Sequence, residues 1–169
     1  EPLSGLLIPV DNLSGTAAKE SIKKVYEALE RDEALIVFPS GEVSRAHPTG
    51  IKDAKWKKGF LKFAQKSNSP LLPVFIDAKN SPLFYTLSMI NKKLSTFLLA
   101  REMFKKRSKV ISFKIGEMIA YKTLQNSGFN DTVLINLLKK HLYKISKGKK
   151  GLFTTQTAIA HPEERKTIR

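Results

Sequence analysis

Cysteine is absent from the 169-residue sequence, which excludes disulfides, a thiol nucleophile and cysteine-ligated metals within it. Apolar runs that approach the roughly 20 residues needed to span a bilayer are also missing. The amino-terminal residues lack the pattern of a secretory signal peptide. Any role at a membrane would therefore be peripheral, or would depend on residues outside this sequence.

Acidic side chains are scarce, because 15 Asp and Glu stand against 30 Lys and Arg, for a net charge of +15. Residues 1–33 contain seven acids and four bases, so the remainder carries +18. The bases concentrate in residues 52–66, 101–109 and 139–150. Such a surface attracts nucleic acid, anionic lipid head groups or an acidic carrier protein, although runs of lysine also occur as solvated helix faces.

Strand-like and helix-like apolar spacing alternate along the chain. Short apolar runs predict strands at residues 5–10, 34–38, 71–76 and 110–115. Helical spacing predicts helices at 16–29, at 57–65, from Ser81-Pro82 onward, and from Asn130 or Asp131 onward. This alternation predicts an α/β fold, with a mixed, largely parallel sheet flanked by helices.

Two helical patterns and the end of the chain carry further expectations. The helix after Ser81-Pro82 has an apolar stripe made of Leu83, Leu87, Ile90, Leu94, Phe97 and Leu98. His141 lies on the apolar face of the last helix, where a packed core histidine is expected rather than a ligand. Residues 146–151 (SKGKKG) are typical of a flexible basic linker, and residues 160–164 (AHPEE) of a helix start.

The segment that indicates chemistry is FPSGEVSR, residues 38–45, called the FPSGEVSR segment below. It follows the predicted strand 34–38 and would present polar side chains at the carboxyl end of that strand, where α/β folds bind ligands. Lysines at 57 and 58 would add positive charge nearby. A carboxylate beside arginine and lysine can hold a phosphate or carboxylate head group while orienting a hydroxyl.

This segment resembles the Phe-Pro-Glu-Gly-Thr-Arg-Ser motif of the glycerolipid acyltransferases, which esterify lysophosphatidic acid. The surrounding order is similar, with residues 5–12 in place of the second motif, Lys58-Gly59 as the following Lys-Gly, and PLLPVFI at 70–76 as the fourth motif. A nearer resemblance is to a bacterial, hemolysin-like branch. In some of its members an ornithine-lipid N-acyltransferase domain follows, and AIAHPEER at 158–165 resembles that junction. The resemblance implies that residues 1–145 are the carboxy-terminal part of an acyltransferase domain, and that 146–169 are a linker and the start of a following segment.

The sequence departs from this family in three ways. The family's essential His-x4-Asp pair is not found, because the residues five places after the three histidines are Lys52, Ser146 and Lys166. Ser40 stands where the main motif usually has glutamate, and the second motif lacks its arginine. The first departure implies that the catalytic pair lies upstream in a longer protein and that this piece alone is inactive. The other two departures leave the identity of the acceptor lipid open.

The resemblance implies an O-acyltransferase of membrane lipid synthesis that moves a fatty acyl group from acyl carrier protein or acyl-CoA to a lysolipid hydroxyl. It implies no metal and no cofactor, and a cytoplasmic protein held peripherally on the anionic inner face of the cell membrane. Nucleic acid is not an expected partner. The expected acceptor-binding residues are Ser40, Gly41, Glu42, Ser44, Arg45, Lys57 and Lys58, with no catalytic residue in this sequence.

The same residues allow other interpretations. Ser40 does not fit a hydrolase nucleophile elbow, because Phe38 and Glu42 occupy the two glycine positions of that motif. Glu42 and Arg45 could serve only to pair with each other. The alternative function is a basic nucleic-acid-binding module, which the charge favours. The sequence has no helix-turn-helix, zinc-finger or RNA-recognition motif, and its aromatic residues follow apolar stripes.

Overall fold

A computed structural model describes residues 15–106 and 110–153. The predictions for residues 5–12 and for AIAHPEER at 158–165 lie outside these residues. Within them the elements in chain order are α1 (Gly15–Glu30), β1 (Arg45–His47), β2 (Gly50–Lys52), α2 (Gly59–Ser67), β3 (Val74–Asp77), α3 (Pro82–Ile90), α4 (Lys92–Lys105), β4 (Ser112–Ile115), α5 (Tyr121–Gln125) and α6 (Asp131–Ser146). None of these helices combines the length and apolar character that crossing a bilayer requires.

One hydrophobic core joins α2, α5 and α6. Its members share exposures below a tenth and come from these helices and the loops that precede them: Trp56, Leu61, Ala64, Ile119, Tyr121, Leu124, Leu134, Ile135 and Leu138. Helix α6 begins as the sequence predicts, because the Asn130 side chain accepts a hydrogen bond from the Val133 backbone N–H. Helix α1 packs beside α2 through an edge-on contact of the Tyr26 and Phe63 rings, whose centroids are 5.7 Å apart.

His141 is buried on α6, which confirms its prediction as a core histidine. Its Nδ1 accepts hydrogen bonds from the backbone N–H groups of Leu152 (2.8 Å) and Phe153 (3.0 Å). A Cβ on Gly151 would lie 2.3 Å from the imidazole ring, so only glycine lets the chain pass this close. Burial lowers the pKa of His141, which favours the neutral ring that this contact requires.

The sheets of the described residues are small and antiparallel. Strand β1 pairs with β2 in a hairpin, with Arg45 opposite Lys52, and β3 pairs with β4. The structure therefore bears out an α/β fold, whereas the predicted largely parallel sheet is not found in the described residues. Strand β3 packs on α6, where the rings of Phe75 and Tyr143 lie 6.4 Å apart.

Residues 34–38 were expected to form a buried strand, and the structure contradicts this. They adopt no regular secondary structure, and Ile36 is 83% exposed and Phe38 65% exposed. An uninterrupted apolar run supplies the side chains of a buried strand, but a strand also needs a neighbour with which to exchange backbone hydrogen bonds. Within the described residues this run has no such neighbour.

The single long helix expected after Ser81-Pro82 is two helices, α3 and α4, which together form the α3–α4 hairpin. The start of α3 is as predicted, because Ser81 caps the backbone N–H of Phe84 and Pro82 occupies the first turn. The break falls at Asn91, whose backbone is extended. The predicted apolar stripe is only partly buried. Leu87 and Leu98 are partly buried, whereas Leu83, Ile90 and Phe97 are each more than half exposed.

Candidate acceptor-binding site

The FPSGEVSR segment forms a tight turn rather than the end of a sheet strand. The Gly41 backbone N–H donates to the Phe38 carbonyl at 2.9 Å, and Gly41 has a φ of +68°, which favours glycine. Ser40 is buried, and its hydroxyl donates to the backbone carbonyl of Glu42 at 2.7 Å. Ser40 therefore stabilises the turn from inside, which leaves its hydroxyl little freedom to act on a substrate.

Lys57 is brought to this turn through its backbone and its side chain. Its backbone N–H donates to the Pro39 carbonyl at 2.8 Å. Its ammonium nitrogen would lie 3.4 Å from a Cβ on Gly41, so it rests directly over the glycine. The structure thus joins Lys57 to the segment as the sequence predicts. The neighbouring Lys58 stands at the N-cap position of α2 with an exposed side chain, so the fold does not draw it into the turn.

Ser44 is held by a group of side chains behind the segment. Its hydroxyl donates to Asp53 Oδ1, while the Trp56 indole N–H donates to the other Asp53 oxygen at 3.1 Å. The Asp53 backbone N–H donates to the Tyr143 hydroxyl at 3.0 Å, and Lys139 donates to the Asp53 carbonyl at 3.0 Å. Burial raises the pKa of Tyr143, so its hydroxyl remains protonated at neutral pH. Ser44 therefore anchors the segment to the core.

Arg45 connects the segment to helix α4. Its guanidinium donates to the buried Ser95 hydroxyl and lies 3.5 Å from Thr96 Oγ1. Its central carbon lies 5.9 Å from the centre of the Phe84 ring on α3. Arg45 Nε is 3.6 Å from Glu42 Oε2, with both side chains largely buried. The acceptor-binding and the mutual-pairing interpretations of Glu42 and Arg45 both require this proximity.

The assembled site places the Glu42 carboxylate beside two cations. Glu42 and Arg45 lie side by side, and Lys57 covers Gly41, whereas Lys52, opposite Arg45 in the β1–β2 hairpin, donates to Thr49 at 2.8 Å. The other polar partners of Arg45 are uncharged hydroxyls, and the nearby Asp53 carboxylate accepts from Ser44 and Trp56 behind the segment. Such an arrangement can bind a phosphate or carboxylate, and its carboxylate can orient a hydroxyl.

The acyltransferase family profile matches residues 1–149, a span that contains the whole FPSGEVSR segment. The chain belongs to the acyltransferase family. Two curated relatives are both named lyso-glycine lipid O-acyltransferase. The one from Bacteroides thetaiotaomicron is 33% identical over 131 residues, which cover 74% of this chain and 48% of the relative. The one from Phocaeicola vulgatus is 32% identical over 131 residues, which cover 74% of this chain and 47% of the relative.

This acyltransferase chain therefore spans about half the length of the curated relatives it matches. No solved structure gives a significant match. The glycerolipid acyltransferase resemblance inferred from the FPSGEVSR segment is confirmed by the family and by the relatives' names. Of the two functions that the sequence leaves open, membership of this family favours the acyltransferase.

The candidate site also contains residues that the sequence did not single out as binding residues. Asp53 meets Ser44 because the β1–β2 hairpin, which was not predicted from the sequence, folds the chain back beside the segment. Ser95 and Tyr143 also had no sequence signal. Ser95 lies 50 residues from Arg45, and Tyr143 lies 90 residues from Asp53, from whose backbone N–H it accepts a hydrogen bond. Only the folded chain brings these groups together.

A surface hollow of about 430 Å³ lies along α1 and the end of α2. It is lined by Ile22, Tyr26, Lys66 and neighbouring charged residues. It has no connection with the FPSGEVSR segment. In the part of the chain that the structure describes, no three His, Asp or Glu side chains cluster as the ligands of a metal would.

Proposed function

We propose that the full-length protein containing this chain is an O-acyltransferase of membrane lipid synthesis. It moves a fatty acyl group from acyl carrier protein or acyl-CoA to the hydroxyl of a lysolipid with an anionic head group. The observation that carries this proposal is the family match over residues 1–149, which includes the FPSGEVSR segment. The protein acts peripherally, at the anionic inner face of the cell membrane.

The relatives' name suggests a particular acceptor, a lyso-glycine lipid. In the reaction, the acceptor hydroxyl loses its proton to a general base and forms an ester with the acyl carbon. The thioester bond breaks, and the thiol of the donor leaves with a proton. This chain supplies the acceptor end of that reaction, with Arg45 and Lys57 binding the anionic head group and Glu42 orienting the hydroxyl. Ser40, Gly41 and Ser44 hold the turn in shape around them.

The general base is assigned to a His-x4-Asp pair outside these 169 residues, because none of the three histidines here has an aspartate five places on. His141 is also unsuited to the role, because it is buried and accepts two backbone hydrogen bonds. A general base typically contributes a factor of about 10²–10⁴ in rate. The 169-residue chain alone should therefore show no turnover above background.

Acyl transfer by the purified full-length protein tests the proposal. Lyso-glycine lipid, lysophosphatidic acid and lyso-ornithine lipid are offered in parallel, each with acyl carrier protein and CoA donors. We expect ester formation with lyso-glycine lipid to exceed that with the other two acceptors. Failure to acylate any lysolipid with either donor would reject the function. Robust turnover by the 169-residue chain would instead reject the assignment of the general base to an outside segment.

A further inference from the structure

The outward face of the α3–α4 hairpin is apolar, although this face is the one that meets solvent. On α3, Leu83, Met89 and Ile90 are all more than half exposed. On α4, Phe97 is 83% exposed and Phe104 is 69% exposed. Residues seven apart occupy the same side of a helix, so Leu83 and Ile90 share one side of α3, and Phe97 and Phe104 one side of α4. These five residues are called the hairpin face below.

Among the described residues of α4 the buried ones are Ser95 and Glu102, again seven residues apart, and the partly buried Leu98 and Leu99 lie between them on the same side of the helix. Ser95 receives the guanidinium of Arg45, and the Glu102 carboxylate accepts from the Ser81 backbone N–H and hydroxyl, both at 2.6 Å. Hydrogen bonds at both ends of this side therefore help to fix the helix in place, whereas the rings of Phe97 and Phe104 remain exposed.

The charges around the hairpin face are of one sign. Between residues 82 and 109 the sequence has seven Lys and Arg and a single acid, Glu102. That acid is buried, is hydrogen-bonded to Ser81 and lies 3.8 Å from the ammonium nitrogen of Lys105, while Arg101 and Lys105 on the same helix are exposed. Exposed aromatic and aliphatic side chains beside an excess of cations are the pattern of a helix that lies on an anionic bilayer.

We propose that the hairpin face docks on an anionic lipid bilayer, with the apolar side chains in the interface and Arg101 and Lys105 at the lipid head groups. The charge is complementary to such a surface, and the helical backbone needs no further hydrogen-bond partner there. Arg45 ties the FPSGEVSR segment to Ser95 and rests on Phe84, so the segment lies directly behind the hairpin. Docking would thus hold the segment close to the bilayer in which a lysolipid acceptor resides, a consequence that rests on the proposed acyltransferase function.

Other exposed apolar residues do not fit this role. Residues 34–38 are not helical, and β3 and β4 form a two-stranded sheet, so their free backbone groups would be left without partners in a bilayer. The hairpin has neither problem, since its backbone hydrogen bonds are made within its own helices.

Vesicle binding by the full-length protein tests the proposal without a measurement of enzyme activity. The first variant pair is Phe97→Ser with Phe104→Ser, and its matched control is Phe129→Ser with Val133→Ser, which changes two exposed apolar residues near the start of α6. On phosphatidylglycerol vesicles we expect the hairpin pair to weaken binding at least tenfold and the control pair less than twofold. The same binding should weaken as salt rises, because the charges are exposed.

The second comparison tests the contribution of charge, with two double variants whose replaced residues have the same spacing along their helices. Arg101→Ala with Lys105→Ala on α4 is compared with Lys140→Ala with Lys144→Ala on α6, and both pairs remove two exposed cations four residues apart. Each cation near an anionic surface is worth roughly fivefold in binding, so the α4 pair should lose about 25-fold and the α6 pair much less. Equal losses from the two pairs would mean that net charge alone attracts the protein, and would overturn the proposal.

The depth to which residues 97 and 129 enter the bilayer is measured separately. The variants Phe97→Trp and Phe129→Trp are mixed with vesicles that contain brominated lipid, which quenches tryptophan fluorescence. The fluorescence of the Phe97→Trp variant should be quenched more than that of the wild type, whereas the Phe129→Trp variant should show no added quenching. Three results would each overturn the proposal. A lower melting temperature for the serine pair would mean that the chain itself covers the hairpin face, and a change of its oligomeric state would mean that a second copy covers it. Loss of acyl carrier protein binding with vesicle binding intact would mean that the carrier protein binds there. Acyl transfer in detergent by the serine pair, together with vesicle binding equal to that of the wild type, would leave the proposed function standing and reject this surface.

Discussion

The α2–α5–α6 core and the α3–α4 hairpin are both built from helices, but they differ in how much apolar surface they leave exposed. In the core, Leu61, Leu124 and Leu134 are almost completely enclosed. In the hairpin, Phe84 of α3 is fully buried, but the enclosed residues among the described part of α4 are Ser95 and Glu102, and several large apolar side chains are exposed. The difference separates two physical tasks, because the core stabilises the fold mainly by apolar burial, whereas hydrogen bonds help to fix the hairpin and part of its apolar surface stays available to a partner.

The largest expected contrast between the two regions is in stability. Leu124→Ala should lower the free energy of unfolding by about 2–5 kcal/mol, because the leucine is fully buried and its removal leaves a cavity. Phe97→Ala should change it by less than about 0.5 kcal/mol, because the ring is exposed. Urea unfolding of both variants measures the difference. A loss above about 2 kcal/mol for Phe97→Ala would show that the protein itself covers the hairpin face.

The buried carboxylate of the hairpin gives the next effect. Glu102→Ala should cost about 1.5–3 kcal/mol of unfolding free energy, because two hydrogen bonds from Ser81 to a charged group are lost. The exposed Glu33, paired with Arg31, provides the control, and Glu33→Ala should leave the urea midpoint unchanged within error. Equal destabilisation by the two changes would refute the view that polar contacts fix the hairpin.

Hydrogen bonds from Ser81 also lower the pKa of Glu102, so its stabilising effect has a defined pH range. A carboxyl group whose pKa is lowered on folding stabilises the protein above its ordinary value of 4.5. That stabilisation should be lost as the pH falls from 4.5 toward the lowered value. In Glu102→Ala this part of the acid dependence of the urea midpoint should disappear.

The core has its own pH dependence, which is the smallest effect expected. Because burial lowers the pKa of His141 below 6.5, the unfolded chain binds a proton more readily than the folded chain. The free energy of unfolding should be unaffected above about pH 6.5 and should fall below it, by at most about 1.4 kcal/mol per pH unit. Urea midpoints between about pH 8 and pH 5 for the wild type, His141→Gln and the exposed-site control His47→Gln measure this slope. A slope that survives in His141→Gln but vanishes in His47→Gln would contradict it.

Sequence reasoning succeeded where structure depends on neighbours along the chain. Helices α1 and α6 were predicted nearly to their ends, because helical spacing and the Asn130 cap are local signals. The approach of Lys57 to the FPSGEVSR segment was also expected. By contrast, residues 34–38 were assigned as a strand from apolar content alone, and such content does not supply a hydrogen-bonding neighbour.

The hairpin shows a second limit of sequence reasoning. The stripe that includes Leu83, Ile90 and Phe97 has the spacing of a core-facing helix, but spacing cannot tell whether protein or another apolar phase covers it. The buried polar residues of α4 could not be predicted from the sequence either, because Ser95 and Glu102 are buried against Arg45 and Ser81. These partners are 50 and 21 residues away in sequence.

The most direct test of the account is the acceptor dependence of the full-length enzyme with Arg45 replaced. Arg45→Ala removes a charge-assisted contact worth about 1.5–3 kcal/mol, so the acceptor KM should rise about 10- to 150-fold while the donor KM stays within about twofold. Arg31→Ala, at an exposed arginine that follows α1, is the matched control and should change neither value. Melting curves for both variants accompany the kinetics. A destabilised Arg45→Ala enzyme whose acceptor KM is unchanged would show that Arg45 only joins β1 to α4, and would contradict the account.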